Sequence, residues 1–380
     1  MICLVTGNLE LFENKSYKVI GVDESLSLLS PLEIISVDTE TGGLDEYTKD
    51  LKSVQLGNKD FQIVIDTSTV DIKKYKELFE SDKLFLFWNA LFDLRFLYRN
   101  NIYPRKIYDG YLAEKLMWLG YPSGIHSMSL KAAGENYLGV ELDKSVRGKI
   151  IYQGLTEEVI IYGANDVKYL EEIREKQLEE LEKKDLLRAI DIENRFVLVL
   201  AYCQHCGVKL DREKWEAKML KDKKREDNAK KSLDKWLIEN ESNSKYIFIN
   251  RQGDLFEGYN LEPQVSINWN SAKQVAPILK KYGVEVAIED KDKGGTKDSI
   301  DAKVLKPQKD KCSLIPLYLD YKEATKVTST YGENFLKQIN PVSGRIHTSY
   351  NQLGADTTKN YSNICIIKIF FSYLCSKFNM

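Results

Sequence analysis

The chain has almost no net charge and no apolar run long enough to cross a membrane. Its 380 residues include 55 Lys and Arg against 57 Asp and Glu, which gives a formal net charge of −2. Nucleic-acid binding would therefore have to rest on local patches and metal ions, because the bulk charge supplies no attraction. The apolar residues 1–5 are followed too soon by charged side chains for a secretory signal, so we expect no membrane partner.

Cysteine is also scarce, and its six residues are scattered over the whole chain. Without a secretory signal, this usage indicates a reduced, intracellular protein, and we expect a cytoplasmic location. The hydrophobic content of 43% is typical of globular proteins, and the length allows two domains with separate cores. No internal repeat is present.

The clearest chemical signal is a β-branched, apolar run at residues 34–37 that ends in Asp38 and Glu40 and then in Gly42 and Gly43. Alternate residues of a strand point to the same face, so the two carboxylates project together. They repel each other, and a hard divalent cation with oxygen ligands is the usual resolution. A strand that runs out into a solvated turn fits the same pattern.

The order of the predicted elements indicates an α/β domain with a mixed sheet. Three strands at residues 34–37, 51–56 and 61–65 come first. The continuous apolar run at 84–88 predicts a strand buried on both faces, and a helix at 91–98 carrying Asp93 follows it. Strands first and strand–helix alternation afterwards favour this class. From about residue 185 onward, long helical patterns dominate.

Four carboxylates on three separate elements are candidates for one metal centre. Thr156 predicts the start of a helix on which Tyr162 and Asp166, four residues apart, share a face. Together with Asp38, Glu40 and Asp93, Asp166 could hold a pair of Mg²⁺ or Mn²⁺ ions that activates a water and stabilises the leaving oxygen of a phosphodiester. Tyr162 would orient that water. Spacing alone leaves the convergence of these residues to be tested.

The three segments resemble the Exo I, II and III motifs of the DEDD 3′–5′ exonuclease superfamily, which has an RNase H-like fold. Asp38-Thr39-Glu40 is similar to Exo I, residues 89–93 ending in Asp93 to Exo II, and Tyr162-x-x-x-Asp166 to Exo III. The tyrosine marks the DEDDy branch, since the sister branch has a histidine where this chain has Ile161. The resemblance implies that Asp38, Glu40, Asp93 and Asp166 bind the metals. It also implies a hydroxide nucleophile positioned by Tyr162 and Glu40.

The resemblance is closer to the proofreading domain of the family A DNA polymerases, of the bacterial DNA polymerase I type. Residues 126–131 and 137–145 resemble that family's segment before Exo III. The resemblance implies that four residues contact the terminal nucleotides of single-stranded DNA: Thr39, Leu44, Asn89 and Phe92. Leu44 and Phe92 suit wedging and stacking on bases, although core packing explains either of them taken alone.

The similarity continues beyond the exonuclease motifs. Residues 201–211, 268–274, 321–331 and 344–352 resemble the family's thumb and its passage toward the palm. We therefore predict an exonuclease domain over 1–184, a helical thumb-like region with an insertion over 185–360, and an unassigned apolar tail over 361–380. The resemblance implies contacts with the duplex backbone of a primer–template for Lys326, Ser329, Thr330 and Tyr331.

The family pattern stops after Gln352, and neither the palm carboxylates nor the fingers lysine is found. Polymerase activity is therefore not expected from this chain alone. The hypothesis is a truncated or frameshifted gene product, or one half of a split polymerase whose partner is a separate palm-and-fingers chain.

The sequence thus predicts a metal-dependent 3′–5′ DNA exonuclease of the proofreading type, in a bacterial or phage-type replication setting. Two alternatives stay open: an RNA-trimming DEDDy exonuclease, and a non-catalytic DNA-binding or assembly subunit of a split polymerase. Asp109 and Glu114 are expected either behind the metal ligands or on the surface.

Overall fold

The computed structural model describes residues 1–7, 16–122, 124–142, 146, 149–249, 263–290 and 294–354, and the backbone of residues 361–362. As far as it is described, the chain forms two compact units. The first contains Met1–Lys209 and the chain from Asn340 onward, and the second contains Leu210–Ile339. The predicted apolar tail at 361–380 lies outside the described residues, apart from the backbone of 361–362.

A mixed sheet forms the centre of the first unit. Its seven described strands are β1 (Ile2–Val5), β2 (Lys18–Ile20), β3 (Ile34–Thr41), β4 (Leu51–Gly57), β5 (Gln62–Asp66), β6 (Leu84–Phe87) and β7 (Lys106–Asp109). They lie in the order β2-β1-β5-β4-β3-β6-β7. The β3–β4 and β4–β5 pairs are antiparallel, and the other pairs are parallel. The mixed α/β class predicted from the element order is confirmed.

Helices pack around this sheet. They are α1 (Val22–Leu29), α2 (Lys76–Phe79), α3 (Ala90–Arg99), α4 (Gly110–Met117), α5 (Leu130–Ala133), α6 (Lys149–Gln153), α7 (Glu157–Lys168), α8 (Leu170–Lys183) and α9 (Leu187–Cys206). A 3₁₀ turn spans Ile72–Tyr75, and a π turn spans Gly134–Leu138. The Thr156 side chain accepts a hydrogen bond from the amide of Val159, which confirms the predicted start of α7.

Strand β6 is buried on both faces, as its continuous apolar run predicts. Phe85, Leu86 and Phe87 are at most 1% exposed and belong to the main core of the first unit. Fully burying side chains of this size contributes roughly 1.5–3 kcal/mol each. The carboxyl end of β6 is therefore a rigid support for the residues that follow it, Trp88 and Asn89.

Helix α9 packs with the first unit, so the boundary between the compact units lies later than the predicted domain boundary at residue 184. Ile190, Val197 and Ala201 of α9 are buried in the same core as Leu97 of α3. The change to long helical patterns near residue 185 marks a change of local structure, whereas the packing continues to Lys209.

The chain from Asn340 onward also belongs to the first unit. Val208 and Ile346 exchange two backbone hydrogen bonds of 2.8 and 2.9 Å. Farther along, the buried Gln352 side chain donates to the carbonyl of Glu193 at 2.9 Å. A short antiparallel pair, β12 (Tyr350–Asn351) and β13 (Tyr361–Ser362), completes the described part.

The second unit is mostly helical, as predicted for this region. It contains α10 (Arg212–Asn240), α11 (Ala272–Lys281), α12 (Ala302–Leu305), α13 (Leu314–Tyr331) and α14 (Glu333–Leu336), with the short strands β8 (Ile247–Ile249), β9 (Pro263–Val265), β10 (Ala287–Glu289) and β11 (Thr296–Asp298). Its core joins Leu233 and Trp236 of α10 to Trp269 and to Tyr318 of α13. No helix within the described residues is long and apolar enough to cross a membrane.

Candidate active site

The carboxyl end of β3 presents the two carboxylates of the first motif. Asp38 and Glu40 are half-buried, whereas Thr39 between them is buried, as the alternation of a strand requires. Parallel pairing with β6 ends at Ser36, and the antiparallel register with β4 shifts between Glu40 and Thr41. Beyond Ser36, the edge of β3 next to β6 is therefore no longer paired along the residues that carry the two carboxylates.

Helix α7 brings the third carboxylate to this strand end. Gly163 of α7 lies so close to β4 that an added Cβ would stand 2.8 Å from Nε2 of the buried Gln55. This approach places Asp166 beside the end of β3. One oxygen from each of Asp38, Glu40 and Asp166 lies within 4.8 Å of the others. The convergence of these three residues, which the spacing left open, is present in the structure.

Asp93 lies on the same cavity but outside that group of three. It is 3% exposed in the first turn of α3, and its Oδ1 accepts a hydrogen bond of 2.5 Å from the Thr39 hydroxyl. Burial raises the pKa of Asp93 to about 7, and the Thr39 hydrogen bond opposes that shift. A nearby cation would stabilise the charged form of this carboxyl.

Tyr162 stands one helical turn before Asp166 on the face of α7 that meets β3. Its side chain is 8% exposed. Burial raises the pKa of the Tyr162 phenol, and the negative charge of Asp166 raises it further. The hydroxyl therefore stays protonated at neutral pH, and its hydrogen bond to the Asp166 carboxylate contributes to the same shift of the pKa.

All of these side chains line one cavity of about 640 Å³, a size that suits a small ligand. Four residues predicted to contact nucleotides line it as well. Together the predicted residues on its wall are Asp38, Thr39, Glu40, Leu44, Asn89, Phe92, Asp93, Tyr162 and Asp166. Leu44 is 79% exposed and therefore stands on the rim rather than in the core.

Asp109 fixes the backbone on which Asn89 stands. Its two carboxylate oxygens accept hydrogen bonds of 2.9 Å from the amides of Asn89 and Ala90, and it also caps α4. Asn89 has a left-handed backbone with φ of +74°, a conformation that asparagine tolerates better than most residues. Of the two positions expected for Asp109, the structure shows the buried one, against the amides that begin α3. A carboxylate directly after a buried strand and before a helix is the sequence signal for this role.

Glu114 is buried as well, and it anchors a wall of the cavity. Its carboxylate lies 2.7 Å from His126 Nε2 and accepts hydrogen bonds from Tyr137 and Gln177. His126 begins the 126–130 segment, whose residues Met128, Ser129 and Leu130 line the cavity. Sequence reasoning missed this network, because its members are far apart along the chain.

The residues predicted to contact the duplex backbone lie in the second unit, near the end of α13. Lys326, Ser329 and Thr330 are exposed, and Tyr331 lines a cavity of about 760 Å³ between α10 and α14. Their contact with DNA stays a prediction.

Two segments of the chain match models of one polymerase family. Residues 13–182 match the model described as 3′–5′ exonuclease. Residues 256–364 match the model described as DNA polymerase family A. The two matched segments belong to the family A DNA polymerases. Its first unit carries the 3′–5′ exonuclease domain of that family, whose activity depends on divalent metal ions.

The relatives that match this chain include longer proteins. The DNA polymerase I of Borreliella burgdorferi is 28% identical over 363 residues, which cover 90% of this chain and 36% of that protein. This chain therefore spans about a third of the length of that relative. The ribonuclease D of Bartonella henselae is 25% identical over 174 residues, 44% of this chain and 42% of that protein.

A solved polymerase structure shares the fold. The POL domain of Pol1 from M. smegmatis, in complex with DNA primer-template and dNTP, matches with a TM-score of 0.65 and 19% identity. The match covers 95% of this chain and 54% of that one. The RNase H-like fold with a helical second region, predicted from the sequence, is confirmed.

Proposed function

We propose that the chain is a divalent-metal-dependent 3′–5′ exonuclease of the proofreading type that removes nucleotides from DNA 3′ ends. The observation that carries this proposal is the convergence of Asp38, Glu40 and Asp166 on one cavity of an exonuclease domain. Carboxylate oxygens alone form the group, and such donors suit Mg²⁺ and Mn²⁺.

The residues present fit a metal pair. Asp38, Glu40 and Asp166 would hold one ion, and the buried Asp93 on the same cavity would contribute to a second together with Asp38. When bound, two such ions lower the pKa of a water and stabilise the oxygen that leaves the phosphodiester.

The protein's own side chains would orient the reactants. The single hydroxyl proton of Tyr162, which is shared with Asp166 in this structure, would instead be donated to the attacking water, and the Glu40 carboxylate would accept a hydrogen bond from the same water. Leu44 on the rim and Phe92 on α3 contact the terminal bases, while Thr39 and Asn89 contact the terminal nucleotide's polar groups. Holding water and phosphodiester in one geometry supplies much of the rate enhancement.

DNA is the proposed substrate because both matched models belong to a DNA polymerase family. A single-stranded 3′ end would enter the cavity, and the exposed Lys326, Ser329 and Thr330, with Tyr331, would contact the duplex of a primer–template. An intracellular replication setting belongs to the same proposal. The similarity to a ribonuclease D supports RNA trimming as the second candidate, which a comparison of matched DNA and RNA oligonucleotides decides.

The test of this proposal removes single carboxylates from the site. Asp38→Ala and Asp166→Ala should each lower nucleotide release by more than about 1,000-fold, because several kcal/mol of transition-state stabilisation is lost. Tyr162→Phe, which keeps the ring, should lower the rate by about 100-fold. The control is Asp60→Ala, which removes an exposed carboxylate outside the cavity and should leave the rate unchanged. Undiminished release by Asp38→Ala and Asp166→Ala would contradict the proposal, as would metal-independent binding without release by the wild type.

A further inference from the structure

A loop that follows β3 carries Leu44 to the rim of the cavity. Arg95 donates hydrogen bonds to two residues of this loop. The loop, residues 42–47, includes the buried Glu46 and the exposed Leu44. Arg95 lies on α3, three residues after Phe92. Nothing in the proposed chemistry uses Arg95, yet it contacts both residues that are proposed to touch bases.

Every nitrogen of the Arg95 guanidinium donates to a different acceptor. Nε donates to the carbonyl of Leu91 at 3.3 Å, Nη1 to Glu46 Oε2 at 3.1 Å, and Nη2 to the carbonyl of Leu44 at 3.3 Å. The first bond fixes the group on its own helix, and the other two fix it to the loop. Among side chains, only the planar guanidinium of arginine offers N–H donors on three nitrogens, and the single ammonium group of lysine cannot make the same three contacts.

The same guanidinium also contacts the ring of Phe92, with its Cζ 5.7 Å from the ring centroid. Arg95 therefore links the backbone of Leu44 to the side chain of Phe92, which come from two different motifs. Its ion pair with Glu46 is largely withdrawn from water, since the side chains are 18% and 3% exposed. A buried, geometrically constrained pair holds a loop far more firmly than a surface pair.

The far end of the loop is fixed by other partners. Tyr47 stacks against His205 and packs at a tilt against His347, and Asp45 accepts a hydrogen bond of 2.9 Å from Asn340.

Backbone groups hold the start of the loop. The Gly42 amide donates to the Asp50 carbonyl at 2.9 Å, and the Gly43 carbonyl accepts from the Thr41 hydroxyl at 2.8 Å. Between these two ends, Arg95 holds the Leu44 carbonyl.

We propose that Arg95 is a positioning residue of the exonuclease site: through Glu46 and the Leu44 carbonyl it sets the spacing between Leu44 and Phe92 that a 3′-terminal nucleotide occupies. This inference rests on the proposed exonuclease function. Arg95 is not proposed to contact the carboxylates that would bind metal, nor the phosphodiester that is cleaved. Its loss should therefore weaken capture of the terminal nucleotides and leave the chemical step intact.

The test compares two substrates in Arg95→Lys. The KM for a single-stranded deoxythymidine oligonucleotide should rise about tenfold, because a displaced Leu44 no longer packs on the terminal base. Its kcat should stay within about twofold, as should hydrolysis of methyl p-nitrophenyl phosphate, a small phosphodiester without a base. The matched control is Arg174→Lys, whose guanidinium lies 5.4 Å from the ring of Tyr108 in the same unit. It should leave the KM unchanged.

A second variant tests the same role of Arg95 in case Arg95→Lys fails to fold. Removing Arg95 alone leaves Glu46 buried without its partner, so Arg95→Met is combined with Glu46→Met, which keeps the interior neutral. This double variant should fold, as thermal unfolding can show, and should raise the KM at least as much as Arg95→Lys. An unchanged KM in both, or a parallel loss of small-substrate hydrolysis, would overturn the proposal.

Binding without turnover separates this inference from the proposed function. In EDTA, fluorescence anisotropy of a 5′-labelled oligonucleotide should show binding about fivefold or more weaker for Arg95→Lys than for the wild type and Arg174→Lys. A wild type that hydrolyses neither substrate in Mg²⁺ refutes the exonuclease proposal, and the anisotropy comparison still decides the role of Arg95. Equal binding by all three proteins would refute that role.

Discussion

The hydroxyl of Thr39 on β3 donates a hydrogen bond of 2.5 Å to the carboxylate of Asp93 on α3. Thr39 stands between Asp38 and Glu40, so the strand that presents these two carboxylates also holds a third through a side-chain hydrogen bond. The bond fixes the position of Asp93 relative to the acidic pair.

Thr39→Val should therefore weaken both the fold and the site. Valine has nearly the same shape but leaves Asp93 Oδ1 buried without its donor, which costs about 1–3 kcal/mol of unfolding free energy. Urea denaturation measures this loss, and nucleotide release in Mg²⁺ should fall with it. Thr39→Ser, which keeps the hydroxyl, is the control and should retain most of both. Equal stability for the valine and serine variants would contradict the role of the hydrogen bond.

Asp109→Asn should destabilise the protein more at pH 5 than at pH 7.5. Burial raises the pKa of Asp109 from 3.8 to about 6, although four backbone amides oppose the shift. The stability that this protonation contributes is complete below about pH 3.8 and is lost as the pH rises through about 6. Asparagine does not titrate, so the destabilisation measured against the wild type should be about 1.4 kcal/mol larger at pH 5.

Denaturant unfolding of both proteins at the two pH values provides the measurement, because groups that do not interact with Asp109 titrate alike in both proteins and cancel in the difference. A destabilisation that does not change with pH would show that the Asp109 carboxyl ionises at its ordinary pKa in the folded protein.

Gly163→Ala should be harmful, although alanine usually stabilises a helix interior by about 1 kcal/mol relative to glycine. The added Cβ would stand 2.8 Å from Gln55 Nε2 and 3.1 Å from two further atoms of that buried side chain. Because Gln55 is buried and its amide donates to the Ser53 hydroxyl at 2.7 Å, we expect helix α7 to move away from β4, which displaces Asp166 and costs about 1–3 kcal/mol of stability. We expect a lower kcat and a lower melting temperature.

The control for this prediction is the same substitution combined with Gln55→Ala, which removes the clashing atoms. Much of the lost kcat should return in the double variant. No recovery would indicate that the closeness of α7 and β4 does not set the position of Asp166.

Gly110→Ala should disturb the wall of the cavity through Trp88. A Cβ at Gly110 would lie 2.6 Å from two atoms of the Trp88 ring, whose indole nitrogen donates to the carbonyl of Met128 at 3.2 Å. Trp88 and Met128 both line the cavity, so the KM for an oligonucleotide should rise by about tenfold while kcat changes little. Intrinsic tryptophan fluorescence should shift in parallel. Combining the change with Trp88→Leu, which removes the ring, should relieve the clash, and an unshifted spectrum in Gly110→Ala would contradict the prediction.

The sequence predicts the parts of the site that depend on local periodicity. A strand has a period of two residues, which places Asp38 and Glu40 on one face, and a helix turn places Tyr162 next to Asp166. The apolar run of β6 likewise identifies a buried strand without any tertiary information. The convergence of the three motifs needed the resemblance to a family as well, because local periods do not specify how elements pack.

Contacts between distant residues could not be predicted in this way. Glu46 and Arg95 are 49 residues apart, and neither stands in a pattern that distinguishes a buried pair from two surface charges. The packing of α9 on the first unit could not be predicted from the sequence either, because the helical pattern of α9 is compatible with packing on either unit. Such contacts depend on complementary shapes across the core, and a single sequence does not record them.

The most direct test follows a single-stranded DNA oligonucleotide labelled at its 5′ end in the presence of Mg²⁺ or EDTA. We expect stepwise shortening from the 3′ end that requires both Mg²⁺ and the Asp38 carboxylate. The Asp38→Ala variant and the EDTA sample should therefore keep the full-length product. Shortening that persists in EDTA or in Asp38→Ala, or a wild type that binds the oligonucleotide without shortening it, would contradict the account.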